Sequence, residues 1–278
     1  MDGSCKVGHP APMNHASTAR TIAPVRSLAL SARRMMGQVG RLFALLFLSS
    51  LLLVRPAYAQ SILRDAETET YLEEIAAPLA EAAGLSPGAL EIVLVNDSSI
   101  NAFVAGGQRI YIHTGLIETA ESANEVQGVI AHELGHIIGG HVIRFEDGAR
   151  PAMGISLLSL IAGIGMALAG APDAGMATMM MGQQVAMGNF LAYSRTQESV
   201  ADASGARFLS MAGITGKGSV NFFKKLQTYE FRLGRTTEQS YATTHPMSGE
   251  RAAVLEDTYR ADAAWDAPLN AQWEAGFK

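Results

Sequence analysis

The sequence predicts an α+β fold, mostly α, in which a small β-hairpin or sheet lies beside one motif-bearing helix. Three observations predict it. Apolar residues recur at helical spacing in several long stretches, and one stretch opens with the start signal Ser122-Ala123-Asn124-Glu125. A strand-like region between about residues 91 and 113 is broken by Gly106-Gly107, a hairpin turn signal. A chain of 278 residues with 48% hydrophobic residues and a single cysteine must be held by a core, because it has no disulfide framework. With 17% charged residues and a net charge of −5, there is no basic excess to hold phosphates, which excludes nucleic acid as a partner.

Charge divides the chain in two. Residues 1–59 carry Lys6 and six arginines against Asp2 alone, and the remainder is strongly acidic. From Leu42 to Val54 runs LFALLFLSSLLLV, thirteen uncharged residues preceded by Arg41 and followed by Ala57-Tyr58-Ala59. A basic flank, a short apolar core and an A-x-A end describe a cleavable signal peptide, with Gln60 as the expected mature start. Thirteen residues are too few to span a bilayer comfortably. The basic region is long for a signal, and a start at Met35 or Met36 would give a conventional length. Removal of Cys5 leaves no thiol in the mature chain, which suits an oxidising compartment such as the periplasm.

The elements follow in order. Residues 62–84 read as an amphipathic helix closed by Gly84. Pro87-Gly88 marks a turn, a strand follows near Glu91–Val95, and Gln108–His113 forms the second strand of the hairpin. The capped helix starts at Ser122 and is expected to run to about Phe145, with Asp147-Gly148 ending it. Residues 151–194 are rich in Gly, Ala and Met, with Asp173 as the one charge between Arg150 and Arg195. Ala152–Gly170 is long enough to span a membrane or to touch one peripherally; the alternative is a pair of buried or substrate-facing helices. Further helices are expected over about Phe190–Met211, stopped by Gly213, over Val220–Leu233, and near Gly249–Tyr259.

The capped helix carries His132-Glu133-Leu134-Gly135-His136, an H-E-x-x-H pattern. Two histidines four residues apart lie one turn apart on one face, so both imidazoles can reach a single metal ion. Glu133 is rotated by about 100° from His132. Its carboxylate can then take a proton from a water that the metal has acidified. The pattern predicts zinc-dependent hydrolysis.

A third ligand is needed. His141 lies about 900° of rotation beyond His132, on the opposite face if the helix continues. A carboxylate on a following helix is the other standard solution, and Glu198 is the candidate, against its reading as a solvated helix residue. Asp202, one turn on, could accept a hydrogen bond from a ligand histidine.

These residues resemble the HtpX-like and CaaX-prenyl-protease-type zinc metallopeptidases within the gluzincins. Asn101-Ala102-Phe103 and Tyr111-Ile112-His113-Thr114-Gly115-Leu116 are similar to that family's hairpin. His132–His141, HELGHIIGGH, is similar to its zinc helix. Glu198 with Asp202 matches its E-x-x-x-D element, and His245-Pro246 with Arg251 its late H-P…R element.

The resemblance implies a zincin-type metalloprotease with one Zn2+ per chain, held by His132, His136 and Glu198, with Glu133 as general base and acid. It places His245 and Arg251 near the scissile carbonyl, where they would stabilise the oxyanion; in some secreted relatives this histidine instead caps the zinc. The chain looks like the periplasmic BepA-like branch, linked to outer-membrane assembly, but without that branch's tetratricopeptide domain.

The reading is an exported endopeptidase whose partners are unfolded or misassembled envelope proteins and the envelope assembly machinery. An extended substrate is expected to add to the strand Gln108–His113. The alternatives are a chaperone-like client-binding protein with a latent zinc site and an integral membrane protease.

Overall fold

The computed structural model describes residues 61–233, His245 and residues 249–277, all within the unit Gln60–Lys278. The expected signal peptide 1–59 and Pro246 lie outside the described residues. The first described element is a strand, β1 (Ser61–Leu63), where the sequence reading expected the start of a helix. Asp65 is the reason the helix starts later. Its Oδ1 accepts hydrogen bonds from the backbone N–H of Glu67 and Thr68, so α1 covers Ala66–Ala82.

Three more strands complete a sheet: β2 (Glu91–Asn96), β3 (Ala102–Val104) and β4 (Arg109–His113). β3 and β4 form the expected antiparallel hairpin, turning through Gly106 and Gly107 at φ 67 and 101. Those backbone angles favour glycine at both positions. The spatial order is β1-β2-β4-β3, and β4 pairs in parallel with β2 from Glu91↔Arg109 to Val95↔His113. A substrate therefore cannot add to β4, which has a neighbour on each side. Among the described residues the open edge next to β4 belongs to β3, and β3 packs against the motif helix.

That helix, α3 (Ala123–Gly139), follows the short α2 (Thr114–Thr119). Ser122 Oγ accepts from the Glu125 N–H, and Glu125 Oε2 accepts in return from the Glu121 N–H. The Glu274 carboxylate, on α8 (Ala271–Gly276), accepts from the Ala123 and Asn124 N–H groups and sets a negative charge at the helix N-terminus.

α3 ends at Gly140 in the left-handed region (φ 64), not near Phe145. The His141 N–H reaches back to the His136 carbonyl at 3.1 Å and the Gly140 N–H to the Ile137 carbonyl at 3.0 Å, closing the last turn.

α3 is buried on nearly all sides. α1 and the sheet cover it with Ile75, Leu79, Ile110 and Ile112, while α6 (Lys217–Leu233) contributes Phe222, Phe223 and Leu226. α5 (Pro172–Met211) crosses it so closely that glycines are required: a Cβ on Gly205 would meet the Ala131 carbonyl at 3.0 Å. α7 (Gly249–Arg260) packs on α5 and α6.

Between α3 and α5 lies α4 (Phe145–Leu168), so Asp147-Gly148 belongs to a helix and does not end one. α4 runs back along the first half of α5, which begins at Pro172, well before the expected Phe190. The expected pair of helices over 151–194 is formed, but it is not buried. In α4 only Gly148 and Gly163 are fully covered, and Leu158 and Met180 are 69% and 67% exposed.

Candidate metal centre

Two helices and one loop residue bring four donor side chains together. His132 and His136 come from the buried face of α3, Glu198 from α5, and His245 from the segment before α7. One ligand atom from each lies within 4.8 Å of all the others. His132 Nε2 stands 3.0 Å from His136 Nε2 and 3.3 Å from Glu198 Oε2, and His136 Nε2 is 3.4 Å from Glu198 Oε1. His245 Nδ1 is 3.2 Å from Glu198 Oε1 and 3.3 Å from His132 Nε2.

The rear of the cluster fixes the ring orientations. His132 Nδ1 donates to Asp202 Oδ1 at 2.8 Å, which directs Nε2 at the centre. Arg251 Nη2 binds Asp202 Oδ1 at 3.0 Å and Glu198 Oε2 at 3.0 Å. Arg251 thus sits behind the carboxylates and holds them. A cavity of about 650 Å³ between α5 and α7 is lined by Glu198, Asp202, Arg251, Leu191 and Leu255.

His141 was read as facing away on a continuing helix. Because α3 stops at Gly140, the chain folds back and His141 Nδ1 comes within 2.9 Å of His136 Nδ1. Each ligand-type histidine of the motif therefore has its Nδ1 engaged from behind, His132 by Asp202 and His136 by His141. The Gly139-Gly140 pair was the signal for this reversal, since two glycines at a helix end favour a left-handed stop.

The electrostatics call for a cation. Burial opposes a charged His132, yet the Asp202 and Glu198 carboxylates outweigh it and push its pKa up to about 10. Burial, with His132 and His245 close by, holds His136 far below its ordinary value, so this ring is a neutral donor. Burial works to raise Glu198, but hydrogen bonds from His132 and His245 keep it ionised.

Two converging imidazoles and a buried carboxylate fit zinc, which takes N and O ligands in a compact site. Glu133 supports the fit: it is fully buried, and neither carboxylate oxygen has a hydrogen-bond partner among the described residues. Burial pushes its pKa up. A buried carboxylate without hydrogen bonds is costly, and such groups are kept where they act on something bound beside them. His245 Nε2 lies 3.4 Å from Glu133 Oε1.

Residues 66–259 match the family described as peptidase family M48. Metalloprotease LoiP of Escherichia coli K12 is 31% identical over 59% of this chain and 60% of its own length. The beta-barrel assembly-enhancing protease of Yersinia pestis is 26% identical over 57% of this chain and 32% of its own. Its counterpart in Escherichia coli K12 is 23% identical over 69% of this chain and 39% of its own. The chain thus spans between about a third and two fifths of the length of these two assembly-enhancing proteases.

Proposed function

The chain belongs to peptidase family M48, and from that membership we propose that it is a zinc-dependent endopeptidase acting on unfolded or misassembled proteins of the cell envelope. One observation carries the reading: the His132–His136–Glu198 donor set lies beside a buried Glu133 whose carboxylate has no hydrogen-bond partner among the described residues. His132, His136 and Glu198 would hold the metal. Zinc, when bound, supplies Lewis acidity that polarises a peptide carbonyl and acidifies water.

The remaining work falls to the chain. Glu133 takes a proton from the attacking water and returns it to the leaving nitrogen, and its raised pKa suits both roles. Asp202 and Arg251 keep His132 and Glu198 in place, and His245 faces the reacting centre, where an N–H can stabilise an oxyanion. The open edge of β3 offers backbone hydrogen bonds to an extended substrate, an affinity that tolerates many sequences. Residues 1–59 would direct export, and the names of the relatives agree with a role in beta-barrel assembly.

The purified chain is expected to degrade an unfolded model protein, to stop on addition of a chelator, and to recover with zinc. An undiminished rate in chelator would overturn the reading. His141→Ala is expected to weaken zinc binding roughly 10- to 100-fold, the usual cost of losing such an orienting partner, as measured by competition with a chromophoric chelator. Unchanged affinity would show that His141 does not orient His136.

A second reading rests on His245. Its Nδ1 is one of the four clustered donors, the position from which it could close the site and leave a latent, client-holding protein. That reading predicts zinc bound at one per chain without cleavage, and cleavage released by His245→Ala.

A further inference from the structure

The helix pair α4–α5 exposes to water what chains ordinarily bury. On α4, Met153, Leu157, Leu158, Leu160, Ile161 and Met166 are 40–69% exposed. At about 100° per residue they spread over roughly 240° of the helix surface. On α5, Met176, Met180, Met181, Val185 and Met187 are each more than half exposed. A core helix would be covered, but only 11% of the most hydrophobic window of α4 is buried. A leader would stand at the start of a chain, and this helix begins at Phe145.

The charges are arranged by height. Arg144, Glu146, Asp147, Arg150 and Arg195 all lie at the base of the pair, and Asp173, beside the turn at its tip, is the one charge between Arg150 and Arg195. At 1.5 Å per residue the charge-free legs, 151–168 and 174–194, are about 27 and 31 Å long, against about 30 Å for bilayer hydrocarbon.

The legs also touch as helices do in lipid. A Cβ on Gly163 would fall 2.6 Å from the Gly175 carbonyl, and one on Gly182 would fall 2.0 Å from Ser159 Cβ. Two polar side chains of the legs have partners within the pair: Ser156 Oγ donates to Gln183 Oε1 across the legs at 3.4 Å, and Thr178 Oγ1 donates to the Ala174 carbonyl of its own helix at 2.9 Å, while Gln184 and Asn189 are exposed. A folded partner or a second copy would cover one face of the pair and leave the other in water. Hydrocarbon surrounds both.

We propose that the α4–α5 hairpin inserts tip-first into a lipid bilayer, with Asp173 at the far headgroups and Arg150 and Arg195 at the near ones. Glu198 follows Arg195 within one helical turn, and α3 delivers its histidines to the same end of the pair. The metal centre would then stand at the membrane surface. In this last respect the proposal rests on the peptidase reading, and it makes the substrates polypeptide segments that emerge at that surface.

The test uses the full chain carrying Cys5→Ser and a single new cysteine, Ile161→Cys, Met180→Cys or, as a water-facing control on α7, Thr258→Cys. Each is labelled with an environment-sensitive fluorophore and mixed with vesicles of phosphatidylethanolamine and phosphatidylglycerol. At 161 and 180 the emission is expected to shift to the blue and to be quenched by lipids brominated along the acyl chain, with neither effect at 258. Aqueous spectra at 161 and 180 in the presence of vesicles would overturn the proposal, whatever residues 1–59 do. A blue shift that is present without vesicles and grows with protein concentration would overturn it in favour of a second copy. The readout needs no proteolysis, so its failure is distinct from failure of the peptidase reading.

Discussion

Glu133→Gln is expected to lower cleavage of an unfolded protein by roughly 10²- to 10⁴-fold, the range that general acid–base catalysis supplies. The amide keeps the shape of the side chain but can neither accept a proton from water nor return one to the leaving nitrogen. Zinc content is expected to stay at one per chain, because Glu133 is not among the four clustered donors. Stability is expected to hold or rise, since the substitution removes a fully buried carboxylate without hydrogen bonds among the described residues. Zinc analysis, a thermal melt and a proteolysis assay on one preparation separate these effects. Retained proteolysis would remove Glu133 from the mechanism, and loss of zinc along with activity would make it a structural residue.

Gly135→Ala is expected to damage both the fold and the metal centre. An added Cβ would lie 2.5 Å from the Ala201 carbonyl oxygen and 2.8 Å from the Ala201 Cα, and backbone atoms of a packed helix cannot rotate away. α3 and α5 must therefore part. Overpacking of this kind costs about 1–3 kcal/mol. The same displacement draws His132 and His136 away from Glu198, so zinc affinity is expected to fall at least about tenfold, in line with other disturbances of ligand orientation. Gly154→Ala is the matched control: it lies inside α4, its added Cβ meets nothing within 4 Å, and α-helix propensity favours alanine there by about 1 kcal/mol. Equal melting midpoints and zinc affinities for the two variants would refute the close-packing argument.

Gly135 also shows why the motif could be read and its setting could not. The spacing of His132, Glu133 and His136 is a property of one helix, legible because α-helical geometry repeats every few residues. That this position must be glycine depends on Ala201, which is remote in sequence. The same division runs through the fold. The hairpin turn at Gly106-Gly107 and the cap at Ser122 are local signals, and both elements formed where they were expected.

The parallel pairing of β2 with β4 is not local, and it turned the strand expected to receive substrate into an interior one. A clue was present: Ile92-Val93-Leu94-Val95 is apolar at every position, as in a strand covered on both faces. Arg251 was found by resemblance, but its place behind Glu198 and Asp202 belongs to the packing of α7 on α5.

The sequence by itself determined where most of the helices lie, the hairpin, the His132–His136 pair on one helix face and the apolar stretch 151–194 with Asp173 as its one charge, because periodicity, caps and composition act over a few residues. Only the tertiary structure decided that α3 stops at Gly140 and turns His141 onto His136, and that His245 joins the donors. It also decided that the apolar helices pair with each other and stay exposed. Those outcomes depend on which distant surfaces meet. The free energy of such contacts comes from burial and close packing between segments, which no local pattern encodes.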